Sequence, residues 1–185
     1  MAIELTKQQI NAAMPKVAKG LEQYVWIQSQ VTGPGQFHTS SVFRKKFNHF
    51  YRVRRAVSWQ DAYYNLMAQA KRDKLQFPVV LELLHKETNR YEASFASKLV
   101  ATVNPSNPVI DSMVLKNLGL RLPYSTAPNR ASDISILYQE LTSLFASFLM
   151  SENGIYLVSQ FKLTYPKAKI TDEKMLDLVL WQTRG

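Results

Sequence analysis

Apolar and polar positions follow a helical period along nearly the whole of this 185-residue chain. The first signal is "TKQQ", where Thr6 and Gln9 stand at capping-box spacing, so a hydroxyl and an amide can satisfy free N–H groups at a helix start. Ile10, Ala13, Met14 and Val17 then recur at three- and four-residue intervals, the stripe of an amphipathic helix. Pro15 inside that stripe predicts a kink or a new helix start, because its ring crowds the preceding turn and it has no N–H. "TGPGQ" at 32–36 reads as a loop, and Ser40 or Ser41 opens a helix that runs to about Tyr51.

Further along, Ser58 and Asp61 repeat the capping-box spacing ahead of Ala62, Leu66, Met67 and Ala70. "QFPVVLELLHKETN" predicts a short helix with Pro78 in its first turn. A helix from about Glu92 to Val103 follows, then one from Pro108 that Gly119 ends as a C-cap. "RLPYSTAPNRASD" is irregular until Ser132 or Asp133 caps "ISILYQELTSLFASFLM", a core helix stopped by "ENG". "IYLVSQF" has the β-branched and aromatic content of a strand, yet its helical surroundings favour a helix. "TDEKMLDLVLWQTR" places acids in a first turn and Arg184 at the end, as the helix dipole prefers. With no βαβ alternation, no period-2 hairpin and no internal repeat, the expectation is an all-α protein, one compact helical domain over residues 1–185.

Composition narrows the function classes. An apolar fraction of 46% is ordinary for a globular protein. No run approaches the roughly 18 apolar residues of a spanning helix, and "MAIELTKQQI" lacks a signal-peptide layout, so a cytoplasmic protein off the membrane is expected. Absence of cysteine excludes disulfides and thiolate metal sites. Charge changes the picture more. A net charge of +9 and a pI near 9.7 point to a polyanionic partner. From Gln23 to Gln60 there is no acid, while Arg44, Lys45, Lys46, Arg52, Arg54 and Arg55 lie among Phe43, Phe47, Phe50 and Tyr51. The expected partner is nucleic acid, double-stranded DNA first, held through phosphates. Arg44, Lys45, Arg52 and Arg55 are expected to share one face, with the phenylalanines on another. The competing expectation is that these cations pair with acids elsewhere in the fold.

Candidate chemistry concentrates in "SFASKLVATVNPSNPVIDSMVLKNLGL", Ser94 to Leu120. Asp111 stands among Pro108, Val109, Ile110, Met113 and Val114, and an acid on a packing face costs free energy unless it is paired or used. Either it stabilises a helix start or it does chemistry. Lys98, beside Leu99, Val100 and Val103, is either a snorkelling lysine or a desolvated nucleophile. His38, His49 and His85 lack metal-ligand spacing, no phosphate-binding Gly-rich loop is present, and no metal or cofactor is called for. Trp59, Tyr63 and Tyr64 are either core aromatics or platforms for an extruded base, whereas Trp26 and Trp181 read as buried.

The order of Lys98, the loop "NPSNP" and Asp111 within "SKLVATVNPSNPVIDSMV" resembles the catalytic region of the helix-hairpin-helix DNA glycosylases, especially their 8-oxoguanine branch. There a lysine early in the hairpin's second helix precedes a Pro-rich loop and an aspartate at the next helix start. The chain also resembles a set of uncharacterised bacterial proteins sharing "FYRVRR", "SFASKL", "NP…P…D" and "LWQTR". The glycosylase resemblance implies a helix-hairpin-helix fold, DNA binding, and cleavage of the N-glycosidic bond of a damaged or modified base. It also implies Lys98 as nucleophile, and Asp111 as the group that stabilises positive charge on the sugar. The alternative is a non-catalytic nucleic-acid-binding or protein-interaction module on a related helical scaffold.

Overall fold

The helical periods close into nine α-helices and one 3₁₀ turn among residues 2–183, which the computed structural model describes; no strand occurs among them. The elements are α1 (Lys7–Thr32), a 3₁₀ turn (Phe37–Thr39), α2 (Ser41–Tyr51), α3 (Val57–Asp73) and α4 (Phe77–Thr88). They continue with α5 (Ala93–Val103), α6 (Ser112–Asn117), α7 (Arg130–Leu149), α8 (Glu152–Thr164) and α9 (Asp172–Gln182). Arg184 lies outside the described residues.

The capping box at Thr6 forms as its spacing predicts: Gln9 N–H donates to Thr6 Oγ1 at 3.2 Å, and Thr6 N–H donates to Gln9 Oε1 at 2.9 Å. Helix α1 then runs through Pro15 without starting again. Pro15 sits on the exposed side, where water can satisfy the carbonyl left without a donor. The second predicted box does not form. Helix α3 starts at Val57 with no side-chain cap, and Asp61 turns to Arg44 instead. Pro108 also does not start a helix; α6 begins only at Ser112, with Asp111 as its N-cap. Gly119, at φ 65°, takes the left-handed turn that ends this segment.

Helix α7 starts at Arg130, two residues before the expected cap, and Asp133 falls in its first turn. "ENG" does not form the stop; it opens α8, for which Ser151 Oγ accepts from Gly154 N–H at 3.2 Å. Gly154 is required by contact: a Cβ there would stand 2.0 Å from the Phe148 carbonyl oxygen. "IYLVSQF" lies wholly within α8. One apolar core, running from Ile3 to Leu180, draws on all nine helices. At its middle is α9, which packs against α1, α6, α7 and α8 and buries seven consecutive residues, Lys174 to Leu180. A helix buried on every side should be apolar all round. Lys174 and Asp177 break that rule.

Candidate functional site

The chain from Lys98 to Asp111 is folded back on itself by hydrogen bonds. Ser97 Oγ, on the buried face of α5, accepts from Ile110 N–H at 2.9 Å. Tyr138 Oη donates to the Pro108 carbonyl at 3.1 Å, and Thr171 Oγ1 donates to the Pro105 carbonyl at 2.8 Å. "NPSNP" is thereby tied to α5, α7 and the start of α9, and Asp111 returns to the neighbourhood of Lys98. Asp111 Oδ1 accepts from Met113 N–H at 2.9 Å, a true N-cap bond; its second oxygen has no partner among the described residues.

Lys98 is half-buried, with Nζ 5.2 Å from the Phe95 ring centroid and donating to the Tyr51 carbonyl at 3.4 Å. Burial lowers its pKa; Asp111 and Asp177 oppose that shift, and Arg52 and Lys174 reinforce it. Desolvation wins. Lys98 and Asp111 influence one another through space without forming an ion pair among the described residues.

Beneath Lys98 lies a charged centre. Lys174 Nζ donates to Asp177 Oδ2 at 2.5 Å, and both residues are buried. The ammonium group also faces the rings of Tyr24, Phe50 and Tyr51, at 4.5, 5.7 and 5.8 Å from their centroids. Burial alone would lower the Lys174 pKa, but Asp177 and the two tyrosines outweigh it and the group is held charged. Tyr24 and Tyr51 have their own pKa values raised, chiefly by burial. One turn beyond Asp177, Trp181 is 37% exposed rather than buried as expected, with the Arg52 guanidinium 5.6 Å from its ring.

Four separated stretches therefore meet here: "FYRVRR" through Tyr51 and Arg52, "SFASKL" through Lys98, "NP…P…D" through Asp111 and "LWQTR" through Trp181. Lys174 and Asp177 do not stand out from the sequence pattern around them. One signal is present all the same: an acid between Leu176 and Leu178 poses the same question as Asp111.

The basic stretch divides. Arg44 pairs with Asp61 and donates through Nε to the His38 carbonyl at 2.7 Å; Arg55 grips both carboxylate oxygens of Glu92 at 2.8 and 3.0 Å. These two serve the fold. Lys46 lies 4.0 Å from the Trp26 ring centroid, and Lys45 and Arg54 are exposed with no ion pair among the described residues. The expected common face does not exist, because α2 ends at Tyr51 and Arg52 adopts a left-handed conformation (φ 55°, ψ 43°). Phe43 and Phe47 do pack inward, with Phe50 partly buried beside them.

Tyr63 is fully buried, its hydroxyl donating to the Phe95 carbonyl at 3.0 Å, so it is a core aromatic and cannot receive an extruded base in this fold. Trp59 stacks on it at 4.9 Å and is half-buried, as is Trp26. Tyr64 is also buried and donates to Asn48 Oδ1 at 2.6 Å.

The hairpin of α4 and α5 turns without glycine, Asn89 supplying the left-handed residue at φ 53°. A cavity of about 670 Å³ lies beside this turn, lined by His85, Arg90, Tyr91, Asn129 and Arg130; another of about 340 Å³ lies between Leu75 and Val103. Neither touches Lys98 or Asp111. Among the described residues no group of three His, Cys, Asp or Glu side chains could hold a metal ion, and no helix is long and apolar enough to cross a membrane. No family model, curated protein or solved structure matches the chain.

Proposed function

We propose that the protein binds DNA and excises a base from it, with Lys98 as the nucleophile and Asp111 as the carboxylate that serves the sugar. The observation that carries this reading is that Arg52 and Asp111 lie close enough to Lys98 to act on its charge, with Trp181 against Arg52, around an amine that burial pushes toward neutrality. An amine attacks only when neutral, and a free lysine with a pKa of about 10.4 is almost wholly charged at neutral pH. In the proposed step the Lys98 lone pair bonds to the sugar carbon while the N-glycosidic bond breaks. The base leaves with the bonding electrons and takes up a proton. Opening of the sugar ring gives a Schiff base on Lys98, which water hydrolyses. Positive charge builds on the sugar before the new bond is complete, and the uncapped oxygen of Asp111 is free to face it. Lys45, Lys46, Arg52 and Arg54 would bind phosphates.

A second reading, DNA binding without chemistry, is favoured by the position of both cavities away from Lys98 and by the cap bond of Asp111. Base-release assays on a panel of lesion-bearing duplexes separate the two. The excision reading expects release from at least one substrate by the native chain and none by Asp111→Asn. DNA binding with no release from any duplex supports the second reading.

A further inference from the structure

Lys174 and Asp177 have no part in the chemistry just described, yet they form a 2.5 Å ion pair with side chains only 5% and 12% exposed. A buried pair seldom stabilises a fold more than apolar residues of the same volume would. This one also packs against the buried rings of Tyr24 and Tyr51. Stability is therefore a poor reason for its presence.

Geometry supplies a better one. The Tyr51 ring is shared by two ammonium groups, Lys174 Nζ at 5.8 Å and Lys98 Nζ at 6.0 Å from its centroid. Asp177 is bonded to one of these cations, Lys174, and its charge acts through space on the other, Lys98. We propose that Lys174 is a positioning residue for Lys98: its ammonium group, held in the Tyr24–Phe50–Tyr51 cage, keeps the Asp177 carboxylate paired and so withholds it from the Lys98 amine. The role rests on Lys98 being the nucleophile of the reaction above. The titratable and charged groups that face Lys98 are Tyr51 and Arg52 at the end of α2, Asp111 ahead of α6, and Lys174 and Asp177 on α9. Two of these are anions that favour the unreactive ammonium. Asp111 is held by its cap bond, and Asp177 is held by Lys174. Without Lys174 the buried Asp177 carboxylate would lose its partner, and pairing with Lys98 would restore one.

The test reads the Lys98 amine itself and needs no DNA. The full-length chain is labelled with a small amine-reactive reagent across a pH series, and mass spectrometry follows Lys98 against the exposed Lys16 as internal reference. In the native chain Lys98 should label at lower pH than Lys16. Lys174→Met should slow Lys98 labelling at neutral pH by roughly three- to tenfold, as expected when a carboxylate approaches an amine. Lys174→Arg, which keeps the pair, should stay close to native. Asp177→Asn should move the Lys98 profile to lower pH, opposite in sign, and it carries the test if Lys174→Met does not fold. An unchanged Lys98 profile in a folded Lys174→Met or Asp177→Asn chain would overturn the proposal. Shifted profiles in a protein that releases no base from DNA would sink the excision reading and leave this arrangement standing.

Discussion

Where α7 turns into α8, Leu144, Phe145, Phe148, Leu157 and Phe161 are buried together, and Gly154 lets the two backbones touch. Where α9 faces α1 and the end of α2, the core instead holds Lys174 and Asp177, with Lys98 at its rim and the rings of Tyr24 and Tyr51 alongside. The first region has what close packing requires and nothing else. The second carries charges that cost solvation. Both belong to one core, so the difference is local. It teaches that one core can hold close apolar packing and a buried charged pair side by side, with α7 and α8 supplying the apolar packing.

Substitutions can break that contrast. Phe161→Ala, at a fully buried site in the apolar region, should cost about 3–5 kcal/mol in urea unfolding. Lys174→Met alone should cost a similar amount, about 3–5 kcal/mol, because it strands a buried carboxylate. Adding Asp177→Leu should recover most of that loss or exceed it. A double variant as unstable as the single one would mean that the pair is needed for the fold after all.

The basic stretch offers a second contrast, between cations paired within the fold and exposed cations with no ion pair among the described residues. Lys45→Gln with Arg54→Gln should reduce the slope of log affinity for duplex DNA against log salt by about 0.9 per lost phosphate contact, with unfolding unchanged. Arg44→Gln with Arg55→Gln should chiefly lower stability, by removing the partners of Asp61 and Glu92. At Asp111 the effects are smaller. Asp111→Ala should destabilise by about 1 kcal/mol through loss of the cap, and Asp111→Asn by only a few tenths.

The smallest expected effect is on the pH dependence of stability. Because the folded pKa of Lys98 lies below its ordinary value of 10.5, the unfolded chain binds more protons in the window just under pH 10.5. Lys98 therefore makes stability rise with pH there, and Lys98→Met should flatten that rise. Lys174 acts in another window: its folded pKa is raised, so its contribution is complete below 10.5 and is lost only as pH passes through the higher folded value. Denaturant midpoints measured across this range for the native and Lys98→Met chains check the sign.

Local rules recovered much of the fold. The Thr6 capping box and the apolar stripes of α1 and α7 follow from spacing, and the helical character of "IYLVSQF" follows from its helical surroundings. The failures have a common cause in long-range partners. Ser58–Asp61 has capping-box spacing, but Asp61 pairs with Arg44, seventeen positions away. Arg55 looks free in the sequence because its acid, Glu92, lies thirty-seven positions on. Tyr63 and Trp181 are both aromatic residues on helices, and only packing decides that the first is buried and the second exposed. Lys98 and Asp111 were legible as candidates because each interrupts an apolar run. Their shared setting was not, since Tyr51, Arg52, Lys174 and Asp177 come from elsewhere in the chain.

The central claim is that Lys98 is a nucleophile toward the sugar of a bound nucleotide. A covalent intermediate on that amine is a Schiff base, and borohydride reduces it to a stable secondary amine. The most direct measurement is borohydride trapping of the full-length protein on the panel of lesion-bearing duplexes, with peptide mapping of any adduct. A protein–DNA adduct at Lys98 is expected, and Lys98→Gln should abolish it while duplex binding remains. Base release with no trappable adduct, or an adduct that persists in Lys98→Gln, would contradict that claim.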